Sequence, residues 1–152
     1  MGLKEILHGD LTEAIRSRDE LKSGTIRMVL TAITNEEVSG KSARTLSEAE
    51  IITVLSREAK KRREAAEAFS DGGRLDRAER EKLEGEFIIT YLPVQLSEGE
   101  LKQLIADAIT ETGASGPAGM GQVMKAISPK IAGKADGGTV SALVKTALTG
   151  GN

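Results

Sequence analysis

The chain is predicted to be all-α, built as two helical parts, on three observations. Apolar residues recur at three- and four-residue steps through most of the sequence, and no run alternates with period two. Aromatic residues make up only 2% of the 152 positions, so the core must be Leu, Ile, Val, Met and Ala. Such a core suits packed helices better than a β-sandwich, whose strands favour aromatic and β-branched side chains.

The first helical pattern sets Leu3, Leu7, Leu11, Ala14 and Ile15 on one side. The second runs from about Leu21 to Val38, with Ile26, Val29, Leu30 and Ile33 as its apolar face and Gly40-Lys41 as its exit. Ser47, followed three residues on by Glu50, reads as a capping box opening a long charged helix lined by Leu55, Ala59, Ala66 and Phe69. Ser70-Asp71-Gly72-Gly73 breaks it, because adjacent glycines are poor helix interior. A fourth helix starts near Leu75, carries Leu83, Phe87 and Tyr91 at four-residue steps, and is closed by Pro93.

Tyr91-Leu-Pro-Val-Gln-Leu-Ser97 is the best boundary, since Pro93 cannot continue a helix and biases Leu92 towards extended geometry. The expected division is an N-terminal helical domain over 1–92, a linker over 93–97 and a small three-helix domain over 98–152. Ser97 and Glu100 form a second capping box, opening a helix with Leu101, Leu104, Ile105, Ala108 and Ile109 on one face. After a loop from Gly113 to Gly119, Met120, Val123, Met124, Ile127 and Ile131 make a stripe that Pro129 interrupts. Either the helix kinks at Pro129, or Ser128 caps a separate short turn. Asp136 is a good N-cap for the last helix, where Val140, Leu143, Val144, Ala147 and Leu148 face inward.

Composition narrows the chemistry. No cysteine is present, which removes disulfides, thiol catalysis, zinc ribbons and iron–sulfur clusters. One histidine, His8, has no nucleophile motif around it, and no acid cluster has metal-loop spacing. Neither catalytic residues nor metal ligands nor a cofactor site are expected. The glycine-rich stretches miss nucleotide-loop spacing: Asn35 stands where a loop ending in Gly40-Lys41-Ser42 needs its first glycine, and Ala135 follows Gly133-Lys134 where a hydroxyl belongs. No apolar run approaches the length of a membrane span, and Met1 to Asp10 lacks a signal-type apolar block, so a cytoplasmic protein is the expectation.

Net charge is −2, too little for a protein that coats nucleic acid generally. Two local groups of cations stand out. Arg57, Lys60 and Lys61 on the third helix are readable as a basic ridge, or as a solvated face paired with Glu58, Glu64 and Glu67. Arg62 falls near the apolar stripe and is read as lying over the core. Beyond Gly116 the chain has four lysines, Lys125, Lys130, Lys134 and Lys145, against the single acid Asp136. These suit contact with a phosphate backbone, or serve only solubility around a C-cap at Gly133 and an N-cap at Asp136. With so few aromatics there is no platform for stacking bases, so contact would be with folded backbone.

Tyr91-Leu-Pro-x-Gln-Leu-Ser-x-x-Glu100-Leu, Gly113-Ala114, Met120-Gly-x-Val-Met124, Pro129-Lys, Gly133-Lys-Ala-Asp-Gly137 and Val140-Ser-x-x-Val144-Lys, in this order, resemble the YqeY family. Thr25-Ile-Arg-Met-Val-Leu30 and Glu58-Ala-Lys-Lys-Arg-Arg-Glu64-Ala are similar to its N-terminal stretches. That family shares its C-terminal half with the tail domain of the GatB subunit of the tRNA-dependent amidotransferase. The resemblance implies a two-domain helical fold, tRNA as a partner, and a relation to glutamine-dependent carbon–nitrogen ligase systems whose chemistry lies in a domain this chain lacks. An amidotransferase subunit, or another protein with no RNA role, is the competing partner. One departure is Gly119, where the family often has an acid that would cap the following helix.

Overall fold

The computed structural model describes residues 1–150, and among them every regular element is helical. The order is α1 (Leu3–Arg16), α2 (Glu20–Glu37), α3 (Glu48–Asp71), α4 (Leu75–Ile89), α5 (Glu98–Thr112), a 3-10 turn at Pro117–Gly119, α6 (Met120–Ile131) and α7 (Gly137–Thr149). The chain divides into two compact units between Pro93 and Val94.

In the first unit Leu7, Ile26, Val29, Ile33, Leu46, Ile51, Val54, Leu55, Ala59 and Ile88 form one core. The capping box of α3 is present: the Ser47 hydroxyl accepts from the Glu50 amide and the Glu50 carboxylate accepts from the Ser47 amide. That amide, with the Arg44 guanidinium beside it, holds the Glu50 carboxyl below its usual range. Lys4 does the same for Glu37, whose carboxylate it meets at 2.8 Å. Glu48, at the start of α3, accepts from the Leu3 amide at the start of α1, so one helix caps another.

The fourth helix is turned partly away from its expected phase: Phe87 and Tyr91 pack against the core, but Leu83 does not. Leu83 is 40% exposed, and the buried positions are Gly85 and Ile88. Gly85 explains the rotation, because its bare Cα lets α4 lie against the Arg62 side chain and the Ala59 carbonyl of α3. A methyl there would stand 3.2 Å from the Arg62 Cβ. The helix also stops at Ile89, four residues before Pro93, where the Thr90 hydroxyl donates to the Phe87 carbonyl.

The second unit packs α5, α6 and α7 around Leu101, Ile105, Ala108, Val123, Ile127, Ile131, Val140 and Val144. Ser97 with Glu100 caps α5, and Asp136 caps α7, both at the positions the sequence marks. Pro129 lies inside α6, which continues through it to Ile131. The Ser128 hydroxyl donates to the Met124 carbonyl at 2.7 Å and caps no separate turn. The helix has little left to lose there, because Pro129 falls within its last turn. Gly119 ends the 3-10 turn and is buried. A Cβ on it would meet the Ala114 Cβ at 2.8 Å, so packing against Ala114 leaves no room for a capping acid.

Candidate functional site

The two groups of cations have different surroundings. On α3, Arg57 meets Glu36 at 3.5 Å, Lys60 meets Glu64 at 4.0 Å and Lys61 meets Glu58 at 3.1 Å. Each positive charge of this ridge therefore has an acid beside it. Arg62 does more than lie over the core. Its guanidinium stands 3.2 Å from Glu81, 3.9 Å from Glu84 and 4.0 Å from Glu58, while Arg80 takes the other side of Glu84 at 2.9 Å. This network clamps α3 to α4 and gives the buried Glu58 two cationic partners, Lys61 and Arg62.

The C-terminal lysines contrast with this. All four are exposed, and among the described residues no acid stands within ion-pair distance of Lys125, Lys130, Lys134 or Lys145. The other lysine of the unit, Lys102, is paired with Glu98 at 3.0 Å. The four do not make one flat patch. Lys125 and Lys130 are five residues apart on α6, which turns them roughly 140° from one another. Lys145 is turned by roughly the same angle from the buried Val140 on α7, so it faces outward. Lys130, in the last turn of α6, and Lys134, in the corner that follows, are the pair at one end of the unit.

That corner is well defined. Gly133 takes a left-handed φ of +72°, which ends α6 at no steric cost. The Lys134 amide donates back to the Ile131 carbonyl at 2.8 Å. The Asp136 carboxylate then accepts from the Thr139 amide and hydroxyl, both at 3.0 Å. One amide at the start of α7 is thus already held by a carboxylate of the chain itself, and an incoming anion would meet that charge as well as the lysines. The corner carbonyls are held from outside: the Gln95 side-chain amide donates to Gly133 at 2.7 Å and the Leu96 backbone amide donates to Lys134 at 2.9 Å.

The hydroxyl–carboxylate pair at this end, Thr139 and Asp136, is engaged as the cap of α7. His8, exposed on α1, belongs to the other unit. Among the described residues no three His, Cys, Asp or Glu side chains stand close enough to hold a metal ion. The Tyr91 phenol has a strongly raised pKa, pushed up by burial and by its 2.6 Å hydrogen bond to Asp10. It ties the end of the first unit back to α1, across a sequence separation that no local pattern reveals.

The family model described as Yqey-like protein matches residues 4–148, nearly the whole chain. The chain belongs to the YqeY family. Among its relatives is "Altered inheritance of mitochondria protein 41, mitochondrial" of Lachancea thermotolerans, 33% identical over 73% of this chain and 60% of that protein. The protein of the same name in Clavispora lusitaniae is 32% identical over 81% of this chain and 72% of its own length. That of Eremothecium gossypii is 33% identical over 60% and 51%. The chain thus spans about half to three-quarters of these relatives. Their shared name corrects the cytoplasmic expectation, since each is called mitochondrial. That expectation rested on the absence of a membrane span and of a signal-type block. Neither feature distinguishes the cytoplasm from the interior of a mitochondrion.

Proposed function

We propose that this YqeY-family chain is a non-catalytic binding module whose C-terminal unit contacts the phosphate backbone of folded tRNA. The observation that supports it is the contrast in pairing. The candidate cations of α3 are matched by acids, whereas Lys125, Lys130, Lys134 and Lys145 are exposed with no acid partner among the described residues. An unpaired exposed ammonium reaches a phosphate without first breaking an ion pair, and contributes to affinity by releasing counterions. Because the four point in different directions, they suit the edge of a folded RNA, met mainly by the Lys130–Lys134 end, better than a single strand in a groove. In this reading a glutamine-dependent amidotransferase would be served by the module, with amide transfer carried out elsewhere.

The test is an anisotropy titration of the full chain with bulk tRNA at two salt concentrations, repeated with all four lysines changed to Ala. Each lysine that contacts a phosphate should take about one unit from the slope of log affinity against log salt. Equal affinity and slope in the quadruple variant would remove these residues from the interface.

A second reading, a protein adaptor, has one observation in its favour. Leu75, Leu83 and Ile89 are exposed and fall within an arc of roughly 120° on α4. Met120 and Met124 are half-buried against the second core and present less apolar surface for a partner. A stable protein partner lost on Leu75→Ser/Leu83→Ser substitution, with no RNA component, is the result that would favour this reading.

A further inference from the structure

The lysine corner lies between two fixed points of its own helices. Ile131 is buried at the end of α6 and Val140 at the first turn of α7. Between them, Ala132 is extended, with φ −53° and ψ +118°, and Gly133 is left-handed. The run Ala132–Lys134 has one hydrogen bond back into its own helix, from the Lys134 amide to Ile131. Two of the corner's three carbonyls, those of Gly133 and Lys134, accept from the segment that opens the unit.

That segment is itself anchored. Leu96 packs its side chain against the second core, and Ser97, the next residue, is fixed by the capping box of α5. The Leu96 amide is therefore held by two independent attachments, and it donates to the carbonyl of the residue whose ammonium is the sharpest contact candidate. A mobile lysine must be ordered on binding, in its side chain and in its backbone. A corner whose backbone is already fixed has the second cost removed.

We propose that Gln95 and Leu96 are positioning residues for Lys134: this strap, more than α6 or α7, sets where the lysine corner stands. The inference rests on the tRNA-contact reading for its functional meaning and on the hydrogen bonds alone for its structural content. It also places the strap two residues beyond the division between the units, so that constraint on the connector acts on the corner.

Gln95→Met keeps the length and charge of the side chain and removes its donor. In the RNA-free full chain, hydrogen exchange followed by NMR should show the Leu96 amide protected, and Gln95→Met should speed its exchange roughly three- to tenfold. The Ile105 and Val144 amides should be unmoved. In tRNA titrations, Gln95→Met and Lys134→Ala should each weaken binding, and the double variant should lose no more than Lys134→Ala alone. Gln95→Met combined with Lys145→Ala should instead be additive. A Leu96 amide that exchanges freely in the parent chain, or is indifferent to Gln95→Met, overturns the strap. Additive losses for Gln95→Met and Lys134→Ala overturn its action through Lys134. If the parent chain binds no tRNA, the functional reading fails and the exchange measurement still decides the strap.

Discussion

Tyr91 offers the sharpest test of the first unit, because it is the only tyrosine and the chain has no tryptophan. Its phenol donates to the Asp10 carboxylate at 2.6 Å, and its ring meets Phe87 edge-on at 5.5 Å. Burial is the larger cause of its raised pKa and the Asp10 hydrogen bond the next. Ultraviolet titration of the phenol should therefore show a midpoint above the usual value of about 10. Asp10→Asn removes the charge and keeps the shape. It should lower the midpoint without returning it to 10, since the burial remains. A parent midpoint at the ordinary value, or one that Asp10→Asn does not move, would refute this account.

The same bond has a stability consequence with a definite sign. A native phenol that keeps its proton longer than the unfolded one contributes stability that is fully present below pH of about 10 and is lost as pH rises beyond it. Tyr91→Phe retains the ring contact and loses only the hydrogen bond, which is worth about 1 kcal/mol because the site is partly open to solvent. For a unit of this size that is a fall of roughly 4–8 °C in the midpoint of thermal unfolding near neutral pH. The deficit should shrink in alkali, where the parent loses its advantage and the phenylalanine variant has none to lose. A deficit that grows above pH 10 would refute the linkage.

Two further substitutions test backbone arguments by thermal denaturation. Gly119→Ala forces a methyl to 2.8 Å from the Ala114 Cβ, and overpacking of this kind should cost about 1–3 kcal/mol; an unchanged midpoint would mean the loop yields freely. Arg18 is the one non-glycine residue with positive φ among those described, at +59°, where the Asp19 amide closes the end of α1 onto Ala14. Arg18→Gly relieves about 1–2 kcal/mol of left-handed strain and gives back about 0.4–1 as unfolded-chain entropy. A net gain of roughly 0.5–1 kcal/mol should follow, and a loss would show that the arginine makes a contact beyond its backbone.

Features fixed within four residues were legible in the sequence. Ser47 with Glu50, Ser97 with Glu100, and Asp136 cap their helices where hydroxyl or carboxylate precedes a helical stripe. Features fixed by packing between elements were not. The phase of α4 depends on Gly85 meeting α3, and a glycine gives no weight to an apolar stripe, so of Leu83, Phe87 and Tyr91 only the last two pack against the core while Leu83 is exposed. Arg62 finds Glu81 and Glu84 on another helix, and Leu3 finds Glu48 45 residues away. Pro129 was undecidable locally because the last turn of a helix and a separate turn make similar demands on a proline.

The candidate lysines follow the same division, and this is why their pairing carries more weight than their number. A long charged helix such as α3 supplies acids three and four residues from most of its cations, so its basic run is offset by the geometry that created it. A corner between helices has no such periodic neighbours. Lys134 lies between the left-handed Gly133 that follows α6 and the Asp136 that caps α7, and this nearby acid is engaged with Thr139. What fixes Lys134 comes from a strap nearly 40 residues earlier, through the Leu96 amide. Charge count alone would have favoured α3, whereas partner geometry favours the corner.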